Sequence, residues 1–107
     1  MSELPQRITL REVGPRDGLQ NEQARVSTSD KLAFIEQLGA AGLPVIEVTA
    51  FVNPARVPQM GDAADVVAGL TRRVGVRYTA LVPNARGLER AAAAGLTDIA
   101  IFAAASE

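Results

Sequence analysis

Neither cysteine nor histidine occurs among the 107 residues. Without cysteine there is no disulfide framework, no thiolate nucleophile and no thiolate metal site. Without histidine there is no Ser-His-Asp or Cys-His machinery and no imidazole ligand. Long apolar runs are missing too: the longest candidate, residues 91–105, is interrupted by Asp98, short of the ~18 to 20 uncharged residues a membrane helix needs. Near the start, Glu3, Arg7, Arg11, Glu12, Arg16 and Asp17 leave no apolar core for a signal peptide, so a cytoplasmic location is expected. Eleven Lys+Arg against twelve Asp+Glu give a net charge of -1, and no basic run is interleaved with aromatics. That balance offers no footprint for nucleic acid or an anionic membrane surface. Whatever chemistry these residues perform must rest on carboxylates, arginine, lysine, hydroxyls and backbone.

What is present is an alternation of short apolar runs and helical patterns in a chain of one-domain length, 48% hydrophobic. Residues 7–13 alternate at period two and stop at Gly14-Pro15, which predicts a strand. Residues 29–42 place Leu32, Ile35 and Leu38 on one face, with Ser27 and Asp30 as cap residues and Gly42 at the end, which predicts a helix. A β-branched strand over 45–51, a helix over 57–70, a strand over 76–82, a helix over 84–95 capped by Asn84, and a strand over 98–104 complete the series. The segment AAGLPVIEV (40–48) returns as AAGLTDIAI (93–101), in keeping with a repeated βα unit.

The order β-α-β-α-β-α-β implies parallel strands joined by helical crossovers. An open doubly wound sheet would carry a glycine-rich phosphate loop after its first strand. GPRDG stands there instead, and its arginine and aspartate are poor material for a phosphate cradle. A (β/α)8 barrel places charged chemistry at its strand ends, so the expected fold is α/β, the N-terminal half of a TIM barrel. Arg16 and Asp17 then follow the first strand. Glu47 lies within the second, where strict alternation groups it with Val45 and Thr49 and opposes it to Ile46 and Val48. A glutamate there needs a partner, either a ligand or an ion pair with Arg11 or Arg77. An EF-hand reading of DGLQNE fails on spacing, and Met60 reads as packing for a short helix.

EVGPRDGLQNE (12–22) resembles the opening motif of the 3-hydroxy-3-methylglutaryl-CoA lyases, and VIEVTAFVNPARVPQMGD, VPNARG and IFAAASE resemble later segments of that family in the same order. The resemblance covers nearly the whole chain, from Ile8 to Glu107. It implies a metal-dependent carbon-carbon lyase on a (β/α)8 barrel, cleaving 3-hydroxy-3-methylglutaryl-CoA to acetyl-CoA and acetoacetate in acyl-CoA metabolism and leucine degradation. Carried over, Asp17 is a ligand of Mg2+ or Mn2+. Arg16 is catalytic and binds the substrate, stabilising the enolate oxygen that forms on the thioester. Glu47 is the acidic residue beside the metal, with a positioning or proton-handling role, and Gln20 is a polar substrate contact.

Departures from the family are Ala50 where serine is common, Ala103 where glycine is common, and Ala55-Arg56 in place of Lys-Trp. The family's metal-ligating histidines and asparagine and its late cysteine lie beyond the fourth strand. Residues 1–107 are thus expected to be a partial barrel domain, inactive alone. The partners the resemblance implies are an acyl-CoA thioester, the second half of the barrel and a second copy in a homo-oligomer. Two other readings stand beside this one: a Claisen-type synthase of the same barrel, isopropylmalate- or citramalate-synthase-like, and a non-catalytic half-barrel module.

Overall fold

The computed structural model describes residues 9–19 and 26–101. Among the described residues four strands and three α-helices alternate: β1 (Arg11–Glu12), α1 (Thr28–Ala40), β2 (Val45–Ala50), α2 (Ala63–Ala68), β3 (Arg77–Val82), α3 (Ala85–Ala93) and β4 (Asp98–Ile101). All neighbouring strands pair in parallel, and the sheet order β1-β2-β3-β4 follows the chain without a reversal. A doubly wound sheet reverses at a switch point; an unbroken order is what an unrolled barrel gives. Of the strands expected over 7–13 and 98–104, residues 7, 8 and 102–104 lie outside the described part. Leu10 carries no strand structure, and β1 spans two residues.

The helix ends follow local chemistry. Ser27 is extended and its Oγ accepts the Asp30 N–H at 3.1 Å, which opens α1. Asn84 does the same for α3, its Oδ1 accepting the Gly87 N–H at 2.8 Å. Gly42 and Gly95, at φ +94° and +91°, follow α1 and α3 in a conformation that favours glycine. Both are followed by leucine and then a strand, so the AAGL repeat is a repeated helix exit.

The single helix expected over 57–70 is divided into a 3-10 turn, Pro58–Met60, and α2. Asp62 stands between the two pieces as the N-cap residue of α2, but its carboxylate does not cap the helix; it is held instead by Lys31 and Thr28 of α1.

Ile46, Val48, Tyr78, Ala80 and Val82 form one core with Ile35, Val66, Val67 and Ala91, which marks one side of the sheet as the side the helices cover. Burying side chains such as Ile46 and Val66 completely contributes about 1.5–3 kcal/mol each. Glu47 and Thr79 are register partners on β2 and β3, and each sits one step from that core row. They therefore point to the other face, the face that a closed barrel turns inward.

Candidate active site

The connection after β1 is a π-helical turn, Gly14–Gly18, rather than a tight turn. The amides of Arg16 and Gly18 both reach back to the Val13 carbonyl, at 3.1 and 3.4 Å, and single π turns of this kind recur at functional sites. Pro15, at the second position of the turn, needs no partner for a backbone N–H and is buried. A Cβ at Gly14 would lie 2.8 Å from Glu12 Oε1, the far end of a flexible side chain, and 3.2 Å from the Phe34 ring, so a side chain there would crowd the contact with α1. The glycine thus lets the turn press onto α1, and the turn delivers Arg16 over β2.

There Arg16 Nε donates to Glu47 Oε2 at 2.9 Å. Glu47 is 2% exposed, whereas the Arg16 side chain keeps 18% of its surface. A carboxylate buried to that degree demands a cation, and Arg16 supplies it. Arg77, considered from sequence as the partner, lies instead 3.6 Å from Asp98, and Arg11 is exposed at the start of the sheet. Of the residues singled out in the sequence, Arg16 and Glu47 are brought together. Gln20 lies outside the described residues, as does the side chain of Asp17.

Strict alternation along β2 does not hold. The β2–β3 register slips between Glu47 and Thr49, so Thr49 pairs with Ala80 of the helix-facing row instead of continuing the Glu47 row. Its hydroxyl donates to Met60 Sδ at 3.7 Å, and Met60, 1% exposed, packs there as a core residue should. A bulge re-aims side chains in this way, often beside an active site. It separates Thr49 from Glu47 and leaves Thr79 as the register neighbour of the glutamate. The Thr79 Oγ1 is fully buried and makes no hydrogen bond.

A second charged cluster was not apparent from the sequence. Lys31 is 3% exposed. Its Nζ donates to the Gln59 carbonyl and, at 2.6 Å, to Asp62 Oδ1, while Thr28 Oγ1 donates to Asp62 Oδ2 at 2.5 Å. Burial alone would raise the Asp62 pKa. The hydrogen bonds from Lys31 and Thr28 and the Lys31 charge outweigh it and hold the carboxyl below its ordinary value. The spacing Lys31–Ile35–Gly39, all buried, was the available signal: a lysine on the buried stripe of a helix. An open cavity of about 600 Å³ adjoins this cluster. The Arg16–Glu47 pair does not line it, and its charged groups already satisfy one another, so the cluster is a joint between α1 and the β2–α2 connection.

Metal chemistry finds one donor type here. Asp17 offers a hard carboxylate suited to a divalent cation, yet among the described residues no three potential ligands converge, and the Glu47 carboxylate is occupied by Arg16. The described residues by themselves do not make a complete metal centre.

Parallel strands in unbroken order, with a charged pair on the side away from the helices and a π-helical turn at the end of the first strand, match the first part of a (β/α)8 barrel. Residues 7–107 match the HMGL-like family model, and the chain belongs to that family. It is 56% identical over 107 residues to the cytoplasmic 3-hydroxy-3-methylglutaryl-CoA lyase of Rattus norvegicus, covering all of this chain and 31% of the relative. The crystal structure of the hydroxymethylglutaryl-CoA lyase of Pseudomonas aeruginosa superposes with a TM-score of 0.91 at 52% identity, over 97% of this chain and 35% of the other. An Acinetobacter baumannii HMG-CoA lyase, solved with coenzyme A and 3-methylmalate, gives a TM-score of 0.87 at 36% identity, over 94% of this chain and 33% of the other. The chain spans about a third of the length of the relatives it matches.

Proposed function

We propose that these residues form the N-terminal part of the active site of a divalent-metal-dependent carbon-carbon lyase, which cleaves 3-hydroxy-3-methylglutaryl-CoA to acetyl-CoA and acetoacetate. The observation that carries the reading is the Arg16–Glu47 pair, with Arg16 on the turn that also bears Asp17. Relatives named as HMG-CoA lyases at about half identity support it, as does a neighbour bound to coenzyme A.

In a retro-aldol cleavage the β-hydroxyl loses its proton and a carbonyl forms at that carbon. The bond to the α-carbon breaks, and its electron pair becomes the enolate of the departing thioester, which is then protonated. A bound Mg2+ or Mn2+ would supply Lewis-acid charge to the hydroxyl and carboxylate oxygens, with Asp17 as this chain's ligand to it. Arg16 answers the enolate. A guanidinium has five N–H donors; Glu47 takes the one on Nε and so fixes the plane in which the terminal amino groups lie. A cation already poised beside the site at rest needs only a small shift to meet the charge as it develops. Glu47 thereby acts through Arg16, and Gln20 is proposed as a substrate contact. Residues supplied by the rest of a closed barrel complete the site.

Product analysis on the complete polypeptide that carries this chain tests the reading. Equal amounts of acetyl-CoA and acetoacetate from HMG-CoA are expected. Condensation of acetyl-CoA with a 2-oxo acid would favour the synthase alternative, which the VPQMGD segment argues against.

A further inference from the structure

Thr79 Oγ1 is the one orphaned side-chain polar atom among the described buried residues. Thr79 is 0% exposed on β3, in register with Glu47 of β2 on one side and Asp98 of β4 on the other. A buried hydroxyl without a partner is a cost that valine would avoid at nearly the same shape. It lies next to the Glu47 whose only described partner in the structure is Arg16, and adjacent strands are about 4.8 Å apart. Rotation about side-chain bonds alone can therefore bring the hydroxyl and the carboxylate into contact.

We propose that Thr79 is a positioning residue for Glu47: its hydroxyl is the reserve donor that the buried carboxylate takes when Arg16 is drawn toward charge forming on a bound ligand. The proposal rests on the reading of Arg16 as the group that meets the developing oxyanion. Two features support it independently. Arg16 approaches from a turn, outside the sheet, and its side chain keeps 18% of its surface, so a movement of Arg16 would not disturb the strands. Glu47 and Thr79 belong to the sheet itself and cannot separate without breaking the β2–β3 pairing. Without the hydroxyl, any movement of Arg16 would leave Glu47 buried and unpaired, and the arginine would be held back in its resting place.

The test compares Thr79→Val with Thr79→Ser in the complete polypeptide. Val removes the hydroxyl and keeps the packing; Ser keeps the hydroxyl. In the ligand-free protein Thr79→Val should raise Tm, because an unpaired buried hydroxyl is gone. On HMG-CoA it should lower kcat about tenfold, the rate equivalent of roughly one hydrogen bond to a charged group, with KM nearly unchanged. Thr79→Ser should keep kcat near wild type. A Val variant with wild-type kcat, a Ser variant as slow as Val, or a lowered Tm for ligand-free Val would each overturn the proposal. Wild-type protein that cleaves no HMG-CoA would refute the proposed reaction instead. The thermal comparison would then still decide whether the hydroxyl is unpaired at rest, and Tm shifts on adding coenzyme A thioesters, smaller in Val than in Ser, would decide its role.

Discussion

Arg16 and Glu47 are 31 positions apart in the chain, and the arginine Nε meets the glutamate Oε2 at 2.9 Å. The glutamate is almost wholly buried within the sheet while the arginine keeps access to solvent from its turn. The pair is thus asymmetric: Glu47 is the anchor and Arg16 the group presented outward.

That asymmetry sets the kinetic expectation for Arg16. If it meets charge that exists only in the transition state, Arg16→Lys and Arg16→Gln should lower kcat by about 10²- to 10³-fold, as loss of an oxyanion donor does, with a far smaller change in KM. Lysine keeps the charge but has no Nε to give Glu47 while holding other donors in plane. Steady-state kinetics on both variants checks this, and an effect confined to KM would mean that Arg16 binds only the ground state.

Asp17→Asn addresses the cation rather than the enolate. A carboxylate ligand replaced by an amide should weaken Mn2+ at least about tenfold, the lower bound seen even for residues that only support metal ligands. Titration of the complete polypeptide with Mn2+, followed by calorimetry, reads the affinity directly, and unchanged affinity would remove Asp17 from the ligand set.

The Lys31–Asp62 joint governs stability instead of chemistry. Asp62→Asn leaves Lys31, 3% exposed, as an uncompensated buried charge. The cost should be near 3 kcal/mol, the low end for a broken buried pair, because 21% of the Asp62 side chain remains accessible. The folded pKa of Asp62 is lowered. Its ionised form therefore stabilises the fold fully above the unfolded Asp value near 3.9, and that contribution is lost as pH falls through the folded value. Denaturation from pH 7 downward should show wild type and Asp62→Asn separated at neutral pH and converging below about pH 4.

The alternation of strands and helices was legible because period two, period 3.6 and the punctuation by Ser27, Gly42, Asn84 and Gly95 are local signals. Arg16 and Glu47 were legible as candidate site residues from the motif and from the oddity of a glutamate in a β-branched strand. Their mutual contact was not, since pairing across 31 residues depends on how the π turn folds back over β2. The bulge at β2 was hidden for a related reason: a register slip arises between two strands and leaves no mark on either alone. It turned Thr49 to the helices and left Thr79 beside Glu47. Lys31 reads as a surface residue until Asp62 and the Gln59 carbonyl are brought to it.

The most direct measurement of the central claim is the product stoichiometry from HMG-CoA, made with wild type and with Arg16→Gln in the complete polypeptide. One acetyl-CoA and one acetoacetate per substrate, with turnover reduced about 10²-fold or more in the variant, is the expected result. Wild-type protein that forms neither product, or an Arg16→Gln variant that forms both at the wild-type rate, would contradict it.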